Sequence, residues 1–158
     1  MAVTGLVYAN GVLGQFGGAG DGTAQAARRV DWLSDTIKCA LLTSTHTPAQ
    51  TTDCYLDDLD NEVVGTGYTQ GGATLGTKTA TKSSLVVSLD AADTQWTTAT
   101  ITARYAVIYK LVGDGTFGAT DTTSPILGYV NFGADATSTA GTFTITWDAT
   151  GIFVYTVA

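Results

Sequence analysis

At 158 residues the chain has the length of one domain, enough for a single core that buries roughly 70% of the unfolded surface. Hydrophobic residues make up 44% and charged residues only 13%, about half the globular average, and threonine is the most frequent type, a composition that suits β-structure. A formal net charge of -7 and a pI near 4.2 exclude the clustered Lys and Arg surface that nucleic acid requires, and no run of 18 apolar residues is present to cross a membrane.

The N-terminus carries neither the basic n-region nor the continuous apolar h-region of a signal peptide, so the chain is expected to be made in a cytoplasm. Residues 1–30 read as an extended glycine-rich arm and residues 31–158 as one β domain. The stretch "VYANGVLGQFGGAGDG", residues 7–22, is too apolar for a surface loop and too rich in glycine for a core element, because each glycine loses extra backbone entropy on ordering. An arm of about 22 residues reaches roughly 70 Å when extended, so it can fold back over its own domain or cross to a neighbouring subunit. Leu6, Val7, Tyr8, Val12, Leu13 and Phe16 would supply apolar contact, with the glycines permitting strand addition at a sheet edge. Arg28 and Arg29 either anchor a partner's carboxylate or end a helical turn; "TAQAARRVDWLSD", residues 23–35, holds a turn or two at most.

"TIKCALLTST" reads as a strand with Ile37, Cys39 and Leu41 on one face and Lys38 and Ala40 on the other; Leu42 breaks the alternation and Pro48 ends the element. In residues 53–72, Leu56 and Leu59 stand three apart among carboxylates, which predicts one 3₁₀ or helical turn before a glycine-punctuated extended segment. Residues 73–90 give two strands, the second with Leu85, Val87 and Leu89 on one face, and "TQW" is a short extension of that sheet. The longest alternation, residues 100–111, predicts a central strand. A loop at residues 113–125 precedes a strand at "ILGYVNFGA". A hairpin follows at "GTFTITWDATGIFVYTV", with Phe143, Ile145 and Trp147 inward, Thr142, Thr144 and Thr146 outward, and the turn at residues 148–151. Eight or so short strands and almost no helix predict an all-β fold: an antiparallel β-sandwich, jelly-roll-like, behind the extended arm. Trp96, Tyr105, Phe132, Phe143, Trp147 and Phe153 read as core residues in preference to a sugar-stacking platform.

Little in the chain suggests catalysis. His46 is the sole histidine and is expected to be an exposed loop residue, and no GxSxG elbow is present to supply a nucleophile. Asp53, Asp57, Asp58, Asp60 and Glu62 are dense enough to raise Ca²⁺, but EF-hand spacing and its turn glycine are absent, and the expectation is a solvated acidic loop with no metal. "GGAGDG" lacks the preceding strand and following Lys of a P-loop. Cys39 in a strand and Cys54 in the acidic loop are expected to be reduced thiols, a disulfide needing their Cα atoms within about 7 Å. No enzyme activity and no cofactor are expected.

Residues 35–79, together with "DAADTQWTTATITARYAVIYK", "SPILGYVNFGA" and "GTFTITWDATGI", resemble small virion structural proteins of tailed bacteriophages. The resemblance covers about residues 31–155, and its most specific parts are "NEVVGTGYTQGGATL" and "ITARYAVIYK". It implies assembly in place of catalysis, with some such proteins resembling capsid decoration or cement proteins. On that basis the chain is expected in the virion after synthesis in the host cytoplasm. Its expected partners are the major capsid protein or another virion protein, and itself, as a trimer; neither nucleic acid nor membrane is expected. A neck, tail or fibre-base component is the alternative within the class, and a carbohydrate-binding module the alternative outside it. The glycine-rich arm departs from the family's pattern, so its role rests on the physical argument above.

Overall fold

The computed structural model of the chain describes residues 2, 3, 6–8, 29–118 and 120–157. Among these residues it is all-β, with no α-helix and two sheets that are antiparallel apart from one two-residue parallel pair. In chain order the strands are β1 (Ala2–Val3), β2 (Leu6–Val7), β3 (Ile37–Leu42), β4 (Ala73–Thr74), β5 (Thr79–Ser83), β6 (Val86–Asp90), β7 (Thr94–Lys110), β8 (Ile126–Trp147) and β9 (Phe153–Thr156). The larger sheet runs β1-β8-β7-β3-β4, with β2 also on β8, and the smaller runs β5-β6-β9.

The β7–β8 ribbon organises everything else. "TQW" is the beginning of β7 itself, where Thr94 pairs with Ile145 and Trp96 with Phe143. The two strands expected at "ILGYVNFGA" and "GTFTITW" are one strand of 22 residues. The expected eight or so short strands are thus corrected to an arrangement dominated by two long bent ones. The register slips between Trp96 and Ile101, where Thr98 and Ala140 take φ of 52° and 49°. Such bulges and left-handed residues carry a strand around a corner without ending it.

β1 and β2 reveal how strongly β8 curls. Ala2 pairs with Thr146 and Leu6 with Tyr129. The stretch from Ala2 to Leu6 spans at most about 14 Å, whereas the β8 residues between their partners would cover about 56 Å if straight. The two ends of β8 must therefore approach each other.

β3 lies where the larger sheet is covered on both faces. Ile37, Cys39 and Leu41 enter the main core with Ala106 and Ile108. Ala40 and Leu42 enter a second cluster with Leu56, Leu59, Val107 and Tyr109. Leu42 is apolar because its face too is buried, as strands covered on both sides require. The second cluster is capped by a 3₁₀ turn, Leu56–Asp58, as the three-residue spacing of Leu56 and Leu59 predicts.

The smaller sheet supplies Phe153 to the main core, edge-on to Trp32 at 6.0 Å. Here the expected hairpin over residues 141–157 is corrected. Its turn forms, with the Gly151 N–H bonded to the Asp148 carbonyl at 2.8 Å, but β9 then pairs with β6, from Leu89↔Phe153 to Val86↔Thr156. Phe143, Ile145 and Trp147 are buried and Thr142, Thr144 and Thr146 exposed, as the alternation implies; alternation specifies a face and leaves the neighbour open. Leu85, expected in a strand on one face with Val87 and Leu89, is instead exposed in the turn between β5 and β6, where Ser84 takes φ of 53°. Of the six aromatic residues expected in the core, Trp96, Phe143, Trp147 and Phe153 are buried, while Tyr105 and Phe132 are half-buried. Of the helical stretch, residues 23–28 lie outside the described residues; residues 31–35 form one turn, in which Asp31 Oδ1 accepts the N–H groups of Leu33 and Ser34.

Candidate functional site

The described part of the N-terminal segment lies on its own chain. β2 pairs antiparallel with β8, and the Tyr8 N–H continues onto the Leu127 carbonyl at 3.2 Å. Gly128 makes this approach feasible, since a Cβ there would strike both the Leu6 carbonyl and the Phe153 ring. Tyr8 is fully buried in the second cluster, its ring 5.5 Å from that of Tyr129. Burial, reinforced by Asp53, pushes its hydroxyl pKa up. Leu6 is half exposed and Val7 pairs with Gly128 through its backbone. Arg29 is exposed, and its carbonyl accepts from Lys110 Nζ at 2.7 Å. Val12, Leu13, Phe16 and Arg28 lie outside the described residues.

From Tyr8 an aromatic row runs through Tyr129 and Tyr105 to His46, with centroids 6.2 Å apart at each of the last two steps. His46, expected on the surface, is corrected to a buried residue with 4% exposure. Its Nδ1 lies 2.7 Å from Asp60 Oδ1, and that hydrogen bond helps hold the Asp60 carboxyl below the usual carboxylate range. The Tyr8 hydroxyl and His46 Nε2 are buried without a hydrogen-bond partner.

The acidic segment, expected as a solvated loop, leaves Asp58 and Asp60 exposed, while Asp53 is buried and several of its carboxylates cap backbone N–H groups. Asp53 is buried and accepts the Ala49 N–H at 2.8 Å; Asp58 Oδ2 accepts those of Cys54 and Tyr55. Glu62 Oε1 accepts from the Tyr68 hydroxyl at 2.7 Å and the Gly71 N–H at 2.6 Å. Burial raises the carboxyl pKa of Asp53, Asp57 and Glu62. Among the described residues no three His, Cys, Asp or Glu side chains stand close enough to hold a metal ion. Cys39 and Cys54 are not joined in a disulfide.

The part of the surface that sequence reasoning missed is on β8. Ala103 pairs with Ala136 and Tyr105 with Asn131, so two steps along β7 correspond to five along β8, and three extra residues bulge out. Gly133, at φ 77°, donates its N–H to Asn131 Oδ1, while Arg104 Nε holds Asp135 Oδ1 at 2.9 Å. The bulge and the stretch beyond the corner form a groove of about 290 Å³ lined by Phe132, Ala134, Asp135, Ala136, Phe143, Thr144 and Ile145. Among the described residues no strand pairs with the outer edge of β8 between Tyr129 and Thr146. The only advance signal was the glycine at position 133 within an otherwise strand-like run.

The chain matches no protein-family description, no curated protein and no solved structure.

Proposed function

We propose that the chain is a structural protein of a tailed-phage virion, a capsid decoration or cement protein that binds the assembled shell and stabilises it. The observation that carries this reading is the outer edge of β8, which accepts two short N-terminal strands at its ends and leaves its bulged middle unpaired among the described residues. Strand addition at such an edge joins subunits through backbone hydrogen bonds without catalytic machinery. The resemblance described above points the same way, and the two sheets sharing one core are consistent with a jelly-roll-like sandwich.

The mechanism is mass action: a protein that binds only the assembled lattice shifts the equilibrium toward it. The major capsid protein is the partner in this reading, with the chain itself trimeric. The deciding experiment is the copy number of the chain relative to the major capsid protein in purified particles, by quantitative mass spectrometry. A ratio near one supports decoration, whereas a ratio near one in a hundred transfers the protein to the neck, tail or fibre base. The carbohydrate-binding alternative has little to rest on, because no aromatic ring among the described residues stands exposed for a sugar to stack upon.

A further inference from the structure

The outer edge of β8 is taken up at both ends by one short segment of the same chain. Ala2 and Val3 run parallel to β8 against Thr146 and Trp147, whereas Leu6 and Val7 run antiparallel to it against Tyr129 and Gly128. A single added strand keeps one direction along an edge, so this change of direction means that the segment joins two parts of β8 that are far apart in sequence and does not extend the sheet. The stretch from Ala2 to Leu6 reaches about 14 Å at most, and the two ends of β8 stay drawn together for as long as both pairings hold. Residues 2–7 are thus a staple across the curl.

The staple is held unevenly. β1 and β2 are two residues each, and Leu6 is half exposed. Tyr8, the next residue, is fully buried in the second cluster, with its ring 5.5 Å from that of Tyr129 and its N–H on the Leu127 carbonyl at 3.2 Å. Short pairings with few buried contacts open at lower free energy than core strands, so β1 and β2 open first and Tyr8 keeps them attached. An incoming strand that pairs with β8 at Ile145 and continues past Trp147 takes the place of β1, and one that continues from Val130 past Gly128 takes the place of β2.

We propose that residues 2–7 are an autoinhibitory staple: seated, they keep the free chain from taking up a strand along the ends of β8, and they lift off when an extended strand of the major capsid protein pairs with that edge. The inference rests on the reading of the chain as a shell-binding virion protein and deepens it, because a sheet edge left open in the free chain would pair with any other.

The test locks the staple. In a full-length chain carrying Cys54→Ser, the substitutions Ala2→Cys and Thr146→Cys place thiols at directly paired positions, and Thr146 is exposed, so the core is left intact. The reduced and oxidised forms of this one protein are compared with wild type. In wild type and in the reduced form, amide hydrogen exchange in β1 and β2 should run about tenfold or more faster than at Val107 and Ile108 in the core of β7, and oxidation should slow it. Binding to purified phage shells that lack this chain should be about tenfold or more weaker for the oxidised form than for the reduced one, since only the open form is competent. Three results overturn the inference: thiols that do not join on mild oxidation, β1 and β2 amides that exchange no faster than Val107 and Ile108, or equal shell binding by the two forms. If wild type itself fails to bind shells, the virion reading falls, and the exchange measurement alone then decides whether the staple opens apart from the core.

Discussion

The Tyr68 hydroxyl donates to Glu62 Oε1 at 2.7 Å and accepts the Leu41 N–H at 2.9 Å. The contact finishes the free edge of β3. β4 pairs with Lys38 and Cys39 only; beyond it, the Val63 N–H reaches the Leu41 carbonyl and Glu62 bridges to Leu42. One tyrosine hydroxyl thus fills the gap between two short pairings, and its ring lies 5.8 Å from that of Trp96. An edge finished in this way offers no unpaired N–H for another chain to take up. Tyr68→Phe should leave Leu41 N–H without its partner and destabilise the fold by about 1–3 kcal/mol. A lower denaturant midpoint at unchanged slope is the expected reading; an unchanged midpoint would mean the edge is closed by something else.

Glu62 should make stability fall as the pH rises. Burial holds its carboxyl pKa above the ordinary value, outweighing the hydrogen bonds from Tyr68 and Gly71. The native state therefore keeps a proton that the unfolded chain has released, and its contribution is full below the unfolded pKa and lost as pH climbs through the folded one. Glu62→Gln retains an acceptor for both donors and removes the titration. Thermal melts from pH 4 to 7 should show the variant gaining on wild type as pH rises, and parallel curves would contradict the argument.

Two substitutions at Tyr8 should separate its ring from its hydroxyl. The ring is fully buried against its own chain, and the hydroxyl is buried without a partner. Tyr8→Ala should cost about 3–5 kcal/mol, the usual loss for a buried aromatic residue. Tyr8→Phe should be neutral or stabilising by up to about 1 kcal/mol, because it removes only an unsatisfied polar group. Urea unfolding measures both, and a Tyr8→Ala variant as stable as wild type would place residues 6–8 off their own domain.

Asp121 should carry the opposite pH signature to Glu62. Burial alone would raise its carboxyl pKa, but the donors facing it outweigh burial and hold it below the usual carboxylate range. Those donors are the N–H groups of Gly115, Thr123 and Ser124 and the Thr123 hydroxyl. Its contribution is present above the unfolded pKa and lost as the pH falls through the folded one. Asp121→Asn turns one acceptor into a donor facing other donors and should cost about 2–3 kcal/mol at neutral pH while flattening the acid limb of the stability curve. Circular dichroism melts between pH 2 and 7 read both effects.

What the residues by themselves determined was local. Alternation in residues 142–147 established which side chains face inward, the Leu56 and Leu59 spacing marked the 3₁₀ turn, and the apolar run from Ile37 to Leu42 marked a strand. Partners and burial were decided by the tertiary structure. β9 follows β8 across a tight turn yet joins β6, because pairing depends on how the ribbon curls and a two-residue period carries no record of curvature. His46 and Asp53 look like solvent-facing loop residues until the fold brings Asp60 to one and the Ala49 N–H to the other. The β8 bulge was hidden for the same reason, since three extra residues become visible only when β7 is laid beside them.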